Sequence, residues 1–224
     1  MAAPSAYEQP TLNRAWEALL AHVPTLILIW IAGGVLYGLS VVVNMVITLM
    51  GMGIATDSTG TALAQILGYL ASLPFAVLSS LVGVLFIAVP ALYYETGEVI
   101  TVQGAFAALM RRPMRYLLAG ILFTLVMTLG YLFCILPGIA VALVMPVYVN
   151  RVFATDQSIV DALGASFQAV YRSPHGMSFV GIQILAGLVG GIIALCTCGL
   201  GALVVVPMLT FYIQNFAYNK GVIS

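Results

Sequence analysis

The sequence predicts an all-α integral membrane protein with about six transmembrane helices. Of its 224 residues, 62% are hydrophobic and only 6% are charged, and the mean hydropathy is +1.13. About a quarter of the residues in an ordinary soluble domain are charged, so this chain belongs in a bilayer. Its apolar runs are continuous and long enough to cross a hydrocarbon core about 30 Å thick, whereas barrel strands alternate polar and apolar residues.

Six apolar stretches supply the predicted spans. Glycine, proline and charged residues interrupt the hydropathy between them. The tight turn between the third and fourth spans is predicted at Leu136-Pro137-Gly138. The spans cover residues 24–53, 62–93, 114–135, 138–153, 175–195 and 200–218.

A short amphipathic helix is predicted before each pair of spans. Thr11 caps the first one, and Pro24 suits the first turn of a new helix, so this segment is expected to end before the first span. The second ends near Arg111. The third begins at Ser158, with Asp161 completing a start that resembles a capping box. Apolar residues at helical spacing predict that all three helices lie along the cytoplasmic interface.

The chain carries the signature of an internal repeat. Landmark residues recur at one constant offset, in the pairs Phe106 and Phe167, Arg111 and Arg172, Pro113 and Pro174, Gly138 and Gly199, and Pro146 and Pro207. The simplest arrangement has three units, at about residues 11–95, 100–153 and 158–218, each an interfacial helix followed by a membrane hairpin. Units with two spans keep one orientation, so parallel repeats are predicted within a single membrane domain, residues 1–224.

The basic residues set the predicted orientation. All seven Lys and Arg residues fall on one side of the six-span arrangement, namely Arg14, Arg111, Arg112, Arg115, Arg151, Arg172 and Lys220. The positive-inside rule makes that side cytoplasmic, with both termini there. The formal net charge of zero argues against a nucleic-acid partner.

Four arginines at that side are candidate contacts for anionic lipid headgroups. They are Arg111, Arg112, Arg115 and Arg172, and they lie beside the predicted amphipathic helices. Basic residues close to a membrane surface attract anionic lipids. The ordinary determination of topology accounts for the same placement, so both interpretations stay open.

Polar amides within the spans are the second set of candidates. Asn44, Gln65, Gln183 and Gln214 either hydrogen-bond between helices, which is the usual role of such groups in hydrocarbon, or line the path of a small transporter or channel. Ionisable side chains inside a span are the usual marker of an ion path, and none is evident away from the ends of the predicted spans. Hydrogen bonding between helices is therefore the favoured interpretation.

The remaining reactive residues form no pattern typical of an enzyme. His22 and His175 lack nearby ligands at metal-binding spacing, so no metal and no cofactor is predicted. Cys134 and either Cys196 or Cys198 fall at equivalent outer turns of the repeat, where a disulfide and free thiols are both open, with free thiols favoured. No nucleophile with a matching base is evident, so we expect a protein that is not an enzyme.

The chain resembles a bacterial membrane family at Leu136-Pro137-Gly138, at Pro146 and at the stretch DALGAS, residues 161–166. It is similar to the membrane-domain family associated with glycerophosphoryl diester phosphodiesterases. The resemblance covers residues 100–218 well and the first third loosely. It implies a multi-pass helical module of the bacterial inner membrane. In fused members the hydrolytic chemistry belongs to a separate soluble domain, so the resemblance does not imply that activity here.

These observations predict a non-enzymatic accessory or scaffold protein of the inner membrane that contacts anionic lipids. The alternative is a small transporter or an oligomeric channel with a path lined by the four amides. The predicted partners are membrane lipids, with a homo-oligomer or another membrane protein left open, because lipid-facing and protein-facing helix surfaces use nearly the same residues.

Overall fold

The computed structural model describes residues 2–55 and 57–223, which are helical along most of their length and contain no strand. A short 3-10 helix, Pro4–Tyr7, precedes the α-helices. These are α1 (Leu12–Ile54), α2 (Ser58–Thr96), α3 (Val102–Arg111), α4 (Pro113–Phe133), α5 (Ile135–Ala142), α6 (Met145–Ala154), α7 (Ile159–Tyr171), α8 (Gly176–Cys196) and α9 (Ala202–Asn219). The prediction of an all-α protein is confirmed for these residues.

Five segments of the described chain are long and apolar enough to cross a membrane. They are α1, α2, α4, the segment Ile135–Ala154 that joins α5 and α6, and α8. Large apolar side chains stay exposed on them, and Phe133 and Leu195 are 86% and 82% exposed. An apolar surface of this kind indicates contact with lipid. The predicted sixth span, α9, carries Gln214 and Asn215 near its end, so a sixth crossing stays a prediction.

The first interfacial helix is not a separate element, and that prediction is wrong. α1 runs without interruption for 43 residues and contains Pro24 in its interior. A proline removes one backbone hydrogen bond, yet a backbone in hydrocarbon has to stay hydrogen-bonded, which favours a continuous helix on both sides. At 1.5 Å per residue α1 is about 65 Å long, roughly twice the hydrocarbon thickness. Part of it therefore extends beyond the membrane core.

The second and third short helices form as predicted. The Thr101 side chain accepts a hydrogen bond from the Gly104 backbone N–H at the start of α3, over 3.1 Å. At the start of α7, Ser158 accepts from the Asp161 backbone N–H over 3.1 Å. These caps satisfy backbone donors that a helix leaves free at its first turn. The caps are local in sequence, which is why the pattern located both helices; their position at an interface stays a prediction.

The turn between α4 and α5 lies at Cys134, two residues before the predicted Leu136-Pro137-Gly138 turn. Cys134 alone is extended, with φ −173° and ψ 159°, while Pro137 and Gly138 belong to the first turns of α5. Gly138 permits close packing instead of forming the turn, because a Cβ there would lie 2.3 Å from the Tyr131 ring. The motif thus allows two consecutive helices to approach closely.

The fourth predicted span is broken into two helices. α5 ends at Ala142, and α6 begins at Met145. The Val144 backbone N–H bonds to the Val141 oxygen over 3.0 Å, one residue shorter than an α-helical bond. Pro146 follows in the first turn of α6, where its missing N–H is least costly. The break leaves backbone oxygens in need of partners from outside the segment.

The described residues divide into two compact units. Ile27–Val84 form one, called here the hairpin unit, and the rest of the described chain forms the other, called the large unit. In the hairpin unit, Ser79 donates a hydrogen bond to the Gly33 backbone oxygen over 3.0 Å, and Ser40 donates to the Ser72 oxygen over 3.2 Å. A Cβ at Gly68 would lie 2.9 Å from the Asn44 oxygen. These contacts pair α1 and α2 in antiparallel fashion within this unit.

The large unit repeats one order of elements. In α3–α6, the short helix α3 is followed by the long helix α4 and then by the segment α5–α6. In α7–α9, the short helix α7 is followed by the long helix α8 and then by α9. The second copy is not broken, because α9 continues through Pro207. The turn before α9 has left-handed backbone at Cys198 (φ 51°) and Gly199 (φ 90°). The internal duplication itself stays a prediction.

Candidate functional site

Two glutamine side chains bond to the break between α5 and α6. Gln183 on α8 donates from Nε2 to the Leu143 backbone oxygen over 2.9 Å. Gln214 on α9 donates from Nε2 to the Pro146 oxygen, also over 2.9 Å. Both amides therefore hydrogen-bond between helices, as the favoured interpretation of these residues expects. Leu143 lies outside both helices, and an unpaired carbonyl in an apolar interior is costly, so the Gln183 contact stabilises the break. The Gln214 contact joins α9 to the first turn of α6.

The other two predicted path residues belong to the hairpin unit. The Nδ2 atom of Asn44 is buried and has no hydrogen-bond partner among the described residues. Gln65 is exposed on α2. Gln183 and Gln214 lie in the large unit, where Gln214 also keeps a buried, unpaired Oε1 atom. The four amides are thus divided between the two units.

Two separate sets of hydrogen bonds that the sequence did not reveal connect distant parts of the large unit. The buried Tyr218 hydroxyl accepts a hydrogen bond from Asn150 Nδ2 over 2.8 Å and donates one to Glu95 Oε2 over 2.9 Å. His22, fully buried, contacts the Ala18 oxygen through Nδ1 over 2.7 Å and accepts from the Ile100 backbone N–H through Nε2 over 3.0 Å. These bonds define a neutral ring with its proton on Nδ1. His22 is therefore a structural anchor.

The large unit contains an open cleft, called here the arginine cleft. Its volume is about 180 Å³, and it is lined by Leu92, Ala108, Arg111, Arg112, Tyr116 and residues 152–156. Arg112 forms an ion pair with Asp156, and both side chains are largely exposed. Arg111 is exposed and forms no ion pair or hydrogen bond within the described residues. The cleft thus presents one free and one exchangeable guanidinium group.

Arg115 contacts the same region in a different way. Its Nη2 donates to the Thr155 oxygen over 2.9 Å, and its Nε donates to the Val152 oxygen over 3.4 Å. Both oxygens lie at the end of α6, where a helix leaves carbonyl groups free and favours a positive charge. Arg115 therefore joins the start of α4 to the end of α6 through two of its five N–H donors.

Arg172 lies apart from the other three predicted arginines. It follows α7, where its backbone N–H caps the helix through the Gln168 oxygen, and its exposed side chain does not line the arginine cleft. The preceding Tyr171 donates to the Ala140 oxygen over 2.6 Å. Burial raises the pKa of the Tyr171 phenol, so this group stays a neutral donor near neutral pH. The structure thus brings together three of the four predicted arginines.

Cys134, Cys196 and Cys198 are free thiols, all of them exposed. The disulfide that the sequence left open is therefore not formed in this structure. Within residues 2–55 and 57–223, no three His, Cys, Asp or Glu side chains come together in a way that suits a metal ion.

No family model matches the chain, and neither a curated protein nor a solved structure matches it. The resemblance to the membrane domain associated with glycerophosphoryl diester phosphodiesterases accordingly stays a prediction.

Proposed function

We propose that this protein is a non-enzymatic membrane accessory or scaffold protein that holds anionic lipid headgroups in the arginine cleft. One observation carries the proposal: Arg111 is exposed and unpaired beside Arg112, at a cleft between the start of α4 and the end of α6. An exposed guanidinium group in a membrane protein is a natural contact for a lipid phosphate, because its donors match phosphate oxygens in pairs.

The start of α4 adds to the attraction for an anion. Arg112 is the N-cap residue of α4, its side chain makes no capping hydrogen bond, and Pro113 occupies the first turn. A helix start carries partial positive charge and backbone N–H groups that point toward a ligand. A phosphate between Arg111 and the first turn of α4 would therefore meet donors from both sides.

The four predicted arginines then take different roles. Arg111 is the primary headgroup contact, and Arg112 joins it by exchanging Asp156 for the lipid phosphate. Arg115 uses two of its five N–H donors to hold the end of α6 in place, so its role is mainly structural. Arg172 makes a separate, weaker contact with the membrane surface at the end of α7. The exchange at Arg112 costs little, because exposed ion pairs contribute only about 0–1 kcal/mol.

The proposed location is the bacterial inner membrane, with both termini in the cytoplasm. The distribution of all seven basic residues supports this orientation, and the family resemblance supports the bacterial membrane. The lipid contacts are then made with the inner leaflet, where anionic headgroups attract basic residues.

Lipid-dependent thermal stability tests the proposal. A ligand that binds only the folded protein raises its unfolding midpoint, so phosphatidylglycerol should raise the midpoint of the detergent-purified protein more than phosphatidylcholine with the same acyl chains. Arg111→Gln should remove most of that difference. Lys220→Gln, which removes an exposed cation outside the cleft, should retain it. Equal midpoint shifts in the parent protein and Arg111→Gln would reject the cleft as the lipid site.

The transporter or channel alternative has less support. The Nε2 groups of Gln183 and Gln214 already donate to backbone oxygens, so neither amide is free to coordinate a passing solute through those atoms. The alternative predicts flux of a solute across proteoliposomes that Gln183→Leu and Gln214→Leu abolish while the protein stays folded.

A further inference from the structure

A second cleft, called here the amino-terminal cleft, is lined in part by the last turns of α2. Its volume is about 250 Å³, and it is lined by Ser5, Glu8, Arg14, Glu17, Ala18, Ala21, Tyr93, Tyr94 and Asn215. Leu92, the residue before Tyr93, lines the arginine cleft. The end of α2 thus contributes to both clefts, and the two have different chemistry.

Two buried side chains of the amino-terminal cleft have polar atoms without a protein partner. Asn215 is 2% exposed, and its Nδ2 donates to the Ala6 oxygen over 2.9 Å and to the Glu8 oxygen over 3.3 Å. These two bonds fix the orientation of the amide, so Oδ1 is the free acceptor. Tyr94 is 3% exposed, and its hydroxyl makes no hydrogen bond within the described residues. Asn215 Oδ1 and the Tyr94 hydroxyl are therefore available as acceptors to a ligand that enters the cleft.

The charges of the cleft favour a cation. Glu8 and Arg14 form an ion pair, which leaves Glu17 as an exposed carboxylate without a partner in the described part of the chain. The cleft therefore has an excess negative charge beside the free Asn215 Oδ1 and the Tyr94 hydroxyl. The rings of Tyr93 and Tyr94 are only 5.0 Å apart, and aromatic faces also attract cations.

We propose that the amino-terminal cleft binds the ethanolamine headgroup of a phospholipid. A primary ammonium group has three N–H donors, and the cleft offers three acceptors in the Glu17 carboxylate, Asn215 Oδ1 and the Tyr94 hydroxyl. Arg14 lies in the same cleft and faces the phosphate of the headgroup. This site is separate from the arginine cleft and does not depend on the function proposed for it.

A lipid is favoured over a soluble amine by the position of the cleft. Trp16, next to Glu17 on α1, is 43% exposed, and tryptophan is enriched at the headgroup level of membranes. The charged residues of this stretch of α1 adjoin a long apolar run in the same helix. An ethanolamine headgroup therefore reaches the cleft while its acyl chains stay beside the apolar helices.

Choline headgroups provide the discriminating comparison. Their quaternary nitrogen carries a positive charge but no N–H group. It can therefore interact with the aromatic rings and with the negative charge of the cleft, but it donates no hydrogen bond to the three acceptors. Because a choline headgroup loses every charge-assisted hydrogen bond that an ethanolamine headgroup makes, we expect roughly tenfold or greater preference for ethanolamine over choline lipids.

The test measures retained lipid by native mass spectrometry after release from mixed micelles of phosphatidylethanolamine and phosphatidylcholine with identical acyl chains. The parent protein should retain the ethanolamine lipid, and Glu17→Gln and Tyr94→Phe should each reduce its retention about tenfold. Glu98→Gln removes a carboxylate outside both clefts and should change nothing. Arg111→Gln should also leave this retention unchanged, which separates the two sites.

Three results would overturn the assignment. One is equal retention of ethanolamine and choline lipids by the parent protein. Another is undiminished ethanolamine selectivity in both Glu17→Gln and Tyr94→Phe. The third is displacement of the lipid by soluble phosphoethanolamine or by sodium or calcium ions at millimolar concentration, which would identify a free zwitterion or an inorganic cation as the ligand.

Discussion

Gln183 on α8 donates a hydrogen bond to the backbone oxygen of Leu143, the residue that follows the last turn of α5. Without this contact, the oxygen would lie at the break between α5 and α6 with no donor from the helix that follows. Gln183, one of the four amides of the alternative transport path, therefore stabilises the broken fourth span. Gln214 makes a further contact on the other side of the break, where it bonds to the Pro146 oxygen in the first turn of α6.

Gln183→Leu should lower the free energy of unfolding by about 1 kcal/mol, the usual magnitude for a hydrogen bond between membrane helices. The measurement is thermal unfolding in a single detergent. Gln65→Leu makes the same change at an exposed position and should leave the midpoint where it is. Equal midpoints for the parent protein and both variants would contradict a structural role for Gln183.

Tyr218→Phe should destabilise the large unit by about 1–3 kcal/mol. The change keeps the ring but removes the hydroxyl, which leaves the Asn150 amide without its acceptor and Glu95 without its donor. Tyr7→Phe is the matched control, because the Tyr7 ring contacts the Tyr218 ring and its hydroxyl makes no hydrogen bond in the described structure. A destabilisation by Tyr7→Phe as large as that by Tyr218→Phe would assign the effect to ring packing.

Gly176→Ala should reduce the yield of folded protein or destabilise it by more than about 2 kcal/mol. A Cβ at this position would lie 2.0 Å from the Val170 backbone oxygen, whereas one at Gly181 on the same helix would meet nothing within 4 Å. Gly181→Ala should instead be neutral or stabilising by up to about 1 kcal/mol, since alanine favours the helix. The two yields and unfolding midpoints, compared side by side, check this expectation.

Arg115→Gln and Arg111→Gln should affect different properties, the first the stability of the protein and the second its response to lipid. The first removes two hydrogen bonds to the end of α6 and should lower the free energy of unfolding by about 1–3 kcal/mol. The second removes an unpaired, exposed side chain and should leave lipid-free stability unchanged while reducing stabilisation by phosphatidylglycerol. Loss of lipid-free stability in Arg111→Gln would show that its guanidinium group has a structural partner.

Elements with local signals were predicted well from the sequence. Thr101 and Ser158 are capping residues next to the helices that they start, and Gly199 marks a turn that requires left-handed backbone. The continuity of α1 through Pro24 could not be predicted in this way, because it depends on the surroundings of the helix. The turn at Cys134 was missed for a related reason: Gly138 serves the contact with Tyr131 and does not form the turn.

The candidate site was less predictable because its partners are distant in the sequence. The arginines were identified from their charge, yet nothing local showed that Arg112 pairs with Asp156 or that Arg115 bonds to Thr155. The free acceptor of Asn215 emerges only when its amide is seen to bond with the amino-terminal segment. The type and the position of these residues can be predicted from the sequence. Whether their polar atoms are free to bind a ligand depends on tertiary contacts.

The most direct test of the arginine cleft is native mass spectrometry of the intact protein in mixed micelles of phosphatidylglycerol and phosphatidylcholine. We expect the parent protein to retain phosphatidylglycerol selectively, and the double change Arg111→Gln with Arg112→Gln to lose that selectivity while staying folded. Asp156→Asn should raise retention, because it frees Arg112 from its ion pair. Selective retention that is unchanged in both variants would contradict the proposal that this cleft holds anionic headgroups.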